Sequence, residues 1–193
     1  MEFYNNSIYH IYNQGNNRET TFIDAADYLS FLRKLDFHLK PNCTILTYCL
    51  MPNHFHIIIL SSERSNEKVK IGSLELTRIT NAFRLILSEY AQDFNKKYNR
   101  TGSLFRQKTK YKLVDNTEPQ YLKNLICYVL SNPFDIKLVN KLEDWFFSSF
   151  RDLFGLRNGK LIDTKVCLEI FQLTVEDLEY FNNGYSDPLY LKN

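Results

Sequence analysis

No apolar run in this chain approaches the ~20 residues that a bilayer-spanning helix needs, so a membrane partner is not expected. The opening residues, Met-Glu-Phe-Tyr-Asn-Asn, lack a basic segment followed by an apolar stretch, and no secretory signal is expected. Cysteine is sparse: Cys43, Cys49, Cys127 and Cys167 sit inside apolar segments without a CxxC pair. That argues against disulfides or a zinc cluster and for buried free thiols in a reducing cytosol. An excess of one charge sign is missing too. The 24 Lys and Arg against 22 Asp and Glu leave +2, so bulk charge makes no case for nucleic acid. Repeats and low-complexity tracts are absent. Hydrophobic residues at 44% and charged residues at 24% exclude a wholly disordered chain. A length of 193 residues suits one well-cored domain better than two.

The informative charge is local. From Asn95 to Lys112 there are seven basic residues and no acid: Lys96, Lys97, Arg100, Arg106, Lys108, Lys110 and Lys112. Tyr98, Phe105 and Tyr111 are interleaved among them. Cations that neutralise phosphates, beside rings on which bases stack, are what a single-strand groove requires. A solvated loop joined to an amphipathic strand accounts for the same pattern, so the patch alone does not decide.

Periodicity predicts the elements. Ser7 to Asn13 alternates and is rich in β-formers, a first strand. Asp24 suits the N-cap of a helix to about Leu39, which Pro41-Asn42 stops. Cys43 to Met51 and His54 to Leu60 are strands joined by the tight turn Pro52-Asn53, hence antiparallel neighbours. After a polar loop, apolar spacing predicts a helix from about Ser73 to Lys97, with Leu74, Ile79, Phe83, Ile86, Leu87, Tyr90 and Phe94 along it. Thr109 to Val114 is a fourth strand. Glu118-Pro119 then opens a helix to about Ser131, ended by Pro133. This order is that of an α+β, ferredoxin-like (split βαβ) antiparallel sheet with helices packed on it. One domain is expected over residues 1–140, with residues 141–193 a helical appendage packed on it. The acidic, aromatic stretch with Glu176, Asp177, Glu179, Tyr180 and Phe181 reads as a packed helix and a frayed tail.

Two constellations carry chemistry. Side chains alternate along a strand, so His54 and His56 project to one face, close enough to share a metal ion, while Phe55, Ile57 and Ile59 face the other way. Neutral imidazoles suit Mn²⁺, Zn²⁺ and similar ions, and Mg²⁺ where oxygen ligands complete the shell. In isolation such a pair is more often two ordinary strand histidines, one packed and one hydrogen-bonded. On the helix opened by Glu118-Pro119, Tyr121, Asn124, Leu125, Tyr128 and Asn132 fall near one face. A phenol and an amide one turn apart can meet at one point. At its usual pKa of ~10 the phenol is a weak nucleophile that needs a cation's help. The alternative is a core aromatic at Tyr128 and a helix-terminal Asn132 ahead of a proline.

The segment Met51-Pro52-Asn53-His54-Phe55-His56-Ile57-Ile58-Ile59 resembles the histidine-hydrophobe-histidine signature of the HUH single-tyrosine transposases, and more specifically their REP-associated branch. Gly15-Asn16-Asn17-Arg18, Tyr98 to Gln107, Tyr128 to Pro133 and Trp145 to Gly155 match that branch in order, so the resemblance spans residues 7 to 155. It implies the HUH endonuclease fold and a metal-dependent enzyme that cleaves and rejoins single-stranded DNA, often folded as a hairpin, through a 5′-phosphotyrosine. By position, Tyr128 matches the nucleophile. His54 and His56 match ligands of a divalent ion, Mg²⁺ or Mn²⁺, and Asn132 stands where related enzymes carry a glutamine ligand, with shorter reach. Tyr121 lacks the asparagine-proline sequel and ranks below Tyr128. Arg106 and Lys108, with Lys97, Arg100 and Lys110, are the cations expected to guide the strand. Asn16, Asn17 and Arg18 are expected to read bases or the hairpin, although a solvated turn explains them equally.

The resemblance further implies association with bacterial cytoplasmic DNA, and either a homodimer or a monomer. The rival readings are a domesticated, non-catalytic nucleic-acid binder on the same sheet, or another HUH nickase such as a replication initiator or relaxase. A hydrolytic metalloenzyme ranks third, because no general base accompanies the histidines.

Overall fold

The computed structural model describes residues 3–114, 119–174 and 176–177. Strand β1 (Ile8–Gln14) leads to helix α1 (Ala25–Lys34), then to β2 (Thr44–Met51) and β3 (His54–Leu60). A single helical turn, α2 (Glu63–Asn66), and the strands β4 (Lys68–Ile71) and β5 (Leu74–Thr77) precede the long helix α3 (Arg78–Lys97). Strand β6 (Lys110–Val114) and helices α4 (Pro119–Asp135), α5 (Phe150–Leu153) and α6 (Thr164–Phe171) follow. Glu118, and Glu179 to Phe181, lie outside the described residues.

The main sheet has four strands in the order β2-β3-β1-β6, each antiparallel to its neighbours. With β1 and β3 central, α1 between β1 and β2, and α3 between β3 and β6, this is the split βαβ arrangement that the element order predicts. Register settles the faces. Tyr12 stands opposite His56, Gln14 opposite His54, and His10 opposite Ile58, so these side chains share one face. Phe55, Ile57 and Ile59 turn the other way and are fully buried. On that side Phe55 meets Phe31 of α1 with ring centroids 5.1 Å apart, and Tyr90 of α3 meets Phe31 at 5.2 Å. A buried Phe of this kind contributes about 1.5–3 kcal/mol of hydrophobic stabilisation. The histidine side is closed in part by α4, which packs on β2.

The capping signal at α1 is present as expected. The Asp24 side chain accepts from Asp27 N at 3.1 Å, and Asp27 reciprocates. Beyond Lys34 the turn widens to π geometry through Leu35–Leu39 before Pro41. The outer edge of β2 is not bare: Leu50 N donates to Phe147 O (2.9 Å) and Ser149 N to Tyr48 O (3.0 Å). Trp145 Nε1 adds a bond to Leu50 O at 3.0 Å. Cys43, Cys49 and Cys167 are buried and Cys127 half-buried, all as thiols. Among the described residues no helix is long and apolar enough to cross a membrane.

Two boundaries differ from the periodicity. The helix predicted from Ser73 begins at Arg78, because Thr77 is its N-cap and accepts from Thr80 N at 3.2 Å. Leu74 is therefore an exposed strand residue, not part of the helical stripe. The segment before it is a hairpin in which Ile71 pairs with Leu74 across Gly72-Ser73, and Gly72 takes the positive φ of +59° that such a tight turn needs. Nor does Pro133 end α4, which continues to Asp135. A proline so near a helix end removes one hydrogen bond from the last turns, and Ile136 N to Asn132 O and Leu138 N to Pro133 O close the terminus.

Candidate active site

His54 and His56 stand on the same face of β3 with ring centroids 5.1 Å apart, edge to face. Each has its Nδ1 engaged. His54 Nδ1 donates to Asn53 Oδ1 at 2.7 Å, and the Asn53 amide nitrogen in turn donates to Arg18 O at 3.3 Å. His56 Nδ1 lies 2.8 Å from Nε2 of His10, which reaches across from β1. The Tyr128 ring from α4 comes down onto this group, 5.4 Å from His56 and 6.4 Å from His10, with its edge to each. Tyr12, partly exposed, lies 5.0 Å from His10 and 5.8 Å from His56. The phenol of the late helix and the two imidazoles of the central strand are thus on one side of the sheet.

Asn132 joins them through helix geometry. Its Nδ2 donates to the carbonyl of Tyr128, one turn back, at 2.5 Å. Its side chain also lies beside His54, whose pKa it acts to raise. The four-residue spacing between Tyr128 and Asn132 therefore ties the amide to the tyrosine's own backbone and aims it at the histidine. Tyr121, two turns earlier on α4, sits under the Lys112 ammonium at 5.5 Å.

The electrostatics keep all three imidazoles uncharged. Burial, and then the neighbouring His10 and His54, push the pKa of His56 down to about 3. Burial and the Lys112 charge lower His10 to about 4. Burial lowers His54, against the neighbouring Asn132 amide, which acts in the opposite direction. Neutral imidazole is the form that binds metals. Burial raises the Tyr128 phenol, with Tyr12 and Asp135 acting in the same sense. Among the described residues no group of three or more His, Cys, Asp or Glu is arranged to hold a metal ion. The donor set on offer is instead two imidazoles and an amide, and it fits: with Nδ1 of both histidines occupied, Nε2 is the nitrogen left on each, as in metal-binding histidines oriented by outer hydrogen bonds.

The two segments expected to touch DNA form one surface beside this site. Asn16, Asn17 and Arg18 make an exposed turn after β1, with Asn17 and Arg18 at positive φ of 52° and 61°. Asn16 N donates to Leu104 O (2.9 Å) and Arg106 N to Gln14 O (2.9 Å), which joins the turn to the basic loop. Buried Asn13 fastens that loop from below, donating to Arg106 O at 3.1 Å and Thr109 Oγ1 at 3.0 Å. Gly15 N to Asn53 O, at 2.8 Å, ties the same turn to the corner before His54.

The basic residues divide. Lys97 is bound to Asp24 (2.7 Å) and Asp27 (2.8 Å), and Arg100 is paired with Glu19. These ion pairs brace the fold, tying the end of α3 and the loop after it to the start of α1 and to the turn after β1. Arg106, Lys108 and Lys110 are exposed. Lys110 and Lys112 pair with Tyr12 and His10 across β1–β6, so both stand on the histidine face. His10, Tyr12 and Lys112 are parts of the site that motif spacing misses. The alternation of Ser7 to Asn13 already places His10 and Tyr12 on one face, but only the pairing with β3 shows which residues they meet.

No family model and no curated protein matches this chain. Among solved structures the chain is similar to a REP-associated tyrosine transposase bound to a REP hairpin, with a TM-score of 0.57 and 16% identity over 84% of this chain and 92% of that one. A bacterial tRNA(His) guanylyltransferase-like protein in complex with GTP aligns more loosely, at a TM-score of 0.42 and 8% identity over 70% of this chain and 68% of that one. The first likeness is one of fold: the sheet with its packed helices is the architecture of that transposase.

Proposed function

We propose that this protein is a DNA strand transferase of the REP-associated tyrosine transposase type, acting on single-stranded DNA at hairpin-forming sequences. The observation that carries the reading is the approach of the Tyr128 ring to 5.4 Å from His56, on the face that His54 shares. A fold in common with a transposase bound to a REP hairpin supports it.

Tyr128 attacks a backbone phosphorus. Its Oη–P bond forms as the P–O3′ bond breaks, the phenol gives up its proton and the departing oxygen takes one up, leaving a 5′-phosphotyrosine and a 3′-hydroxyl. Because burial raises the phenol's pKa, Tyr128 rests as the neutral hydroxyl and loses its proton only in the attack. His54 and His56, each through Nε2, and the Asn132 amide oxygen would hold the divalent ion, Mg²⁺ or Mn²⁺. When bound, that ion would supply Lewis acidity toward a non-bridging phosphate oxygen. Arg106, Lys108 and Lys110 lead the strand in by neutralising phosphates, and Asn16, Asn17 and Arg18 meet the bases of the hairpin. The phosphotyrosine conserves the ester's free energy, so another 3′-hydroxyl can displace it and join strands without ATP.

The test is covalent capture. With Mn²⁺ and a single-stranded oligonucleotide bearing its hairpin, the unaltered protein and Tyr121→Phe should give a detergent-resistant protein–DNA adduct, and Tyr128→Phe none. An adduct formed by Tyr128→Phe would assign the nucleophile elsewhere.

A further inference from the structure

We infer that His10 is a positioning residue for His56: its Nε2 accepts the His56 Nδ1 proton and so holds His56 in the tautomer whose lone pair lies on Nε2. The inference rests on His54 and His56 being metal ligands, and it adds the residue that prepares one of them.

Two ring nitrogens 2.8 Å apart share one hydrogen, so one imidazole donates and the other accepts. Were His10 the donor, the His56 proton would sit on Nε2 and block ligation there. With His10 as acceptor, Nε2 of His56 is left unprotonated. The geometry is held firmly: the rings stack at 5.0 Å with 27° between planes, and the residues are only 7% and 5% exposed. His10 also sits on β1, diagonal to His56 in the antiparallel register, so the sheet's hydrogen bonds fix the spacing. A parallel arrangement serves the other histidine, whose Nδ1 donates to Asn53 Oδ1 at 2.7 Å. An amide oxygen can only accept, so His54 is committed to the Nδ1–H tautomer that the inference assigns to His56. Both ligands are then prepared in the same sense, one by the corner before β3 and one by the strand beside it.

The experiment reads tautomers and metal separately. Long-range ¹⁵N–¹H correlation spectra of the ¹⁵N-histidine-labelled, metal-free protein report which His56 nitrogen bears the proton. Loss of the free Mn²⁺ electron-resonance signal reports binding of Mn²⁺ alone. His56 should appear as Nδ1–H in the unaltered protein. His10→Phe, which fills the space and cannot accept, should release His56 toward Nε2–H and weaken Mn²⁺ binding about 10- to 100-fold. His10→Gln, whose Oε1 can accept, should keep the tautomer and most of the affinity. An Nε2–H signal for His56 in the unaltered protein overturns the inference, whether or not His10→Phe folds. So does His10→Phe with unchanged tautomer and unchanged Mn²⁺ affinity, which leaves the metal reading standing. An unaltered protein that shows Nδ1–H but binds no Mn²⁺ overturns the metal reading and this inference together.

Discussion

Gly15→Ala is the substitution whose cost the structure defines most closely. Gly15 has φ −53° and ψ 142°, a conformation alanine adopts freely, so backbone strain is not the issue. The obstacle is space. A Cβ there would stand 2.1 Å from the Glu19 carbonyl oxygen and 2.9 Å from Thr21 Cγ2. The first neighbour is backbone and cannot rotate aside, so the turn over residues 15–19 must open. Opening it strains or breaks Gly15 N to Asn53 O (2.8 Å) and Arg18 N to Gly15 O (3.0 Å). Overpacking costs about 1–3 kcal/mol and a broken backbone hydrogen bond about 1 kcal/mol, so destabilisation by about 2–4 kcal/mol is expected. Urea unfolding followed by the fluorescence of Trp145 measures it as a fall in midpoint at unchanged slope. Hairpin affinity, measured well below the midpoint, should fall as well, since Asn16 to Arg18 move with the turn. A loss under about 0.5 kcal/mol, the range of an indifferent surface change, would refute the close approach on which this reasoning rests.

Phe55→Ala removes a fully buried ring packed on Phe31 and Phe105, and should cost about 3–5 kcal/mol in the same unfolding assay. The double variant Arg106→Gln, Lys108→Gln should flatten the salt dependence of single-strand binding by about 0.7 for each phosphate no longer neutralised, as read from log affinity against log salt. Lys97→Gln should leave that slope unchanged, because its ammonium is held by Asp24 and Asp27. Those bonds to Lys97 hold the Asp24 carboxyl below its usual value. The stabilisation it gives is therefore complete above the unfolded pKa of about 3.9 and is lost as pH falls through the lower folded value. Melting temperatures measured from pH 5 down to about 2 should fall less steeply for Lys97→Gln than for the unaltered protein, and equal slopes would contradict the assignment.

The histidine face was legible because alternation in His54 to Leu60 has one physical outcome once Phe55, Ile57 and Ile59 must be buried. The short Pro52-Asn53 turn fixed the antiparallel neighbour for a similar reason. Tyr128 and Asn132 could be placed together from helical spacing alone, since the hydrogen bond that joins them runs within a single turn. His10 was not legible as a member of the site. Its partner lies 46 residues away, and the meeting depends on a register that no local pattern encodes. The β4–β5 hairpin was missed because Leu74 falls at a spacing that a helix can also claim, although Gly72-Ser73 between alternating flanks is a turn signal in its own right. The roles of Lys97 and Arg100 depend on acids 73 and 81 residues away, so a run of basic residues could not show which of its members are already paired.

The two margins of the main sheet are dressed differently. Beside β2 lies the segment carrying Phe147 and Ser149, whose bonds consume that margin's capacity to recruit another chain. Beyond β6 the described residues place no strand. Lys110 and Lys112 line it instead, and a second copy laid antiparallel there would bring like charges face to face. Self-association along that border would thus be opposed in dilute buffer and eased by a polyanion, so the groups proposed to admit a nucleic acid would also discourage the sheet from growing without one.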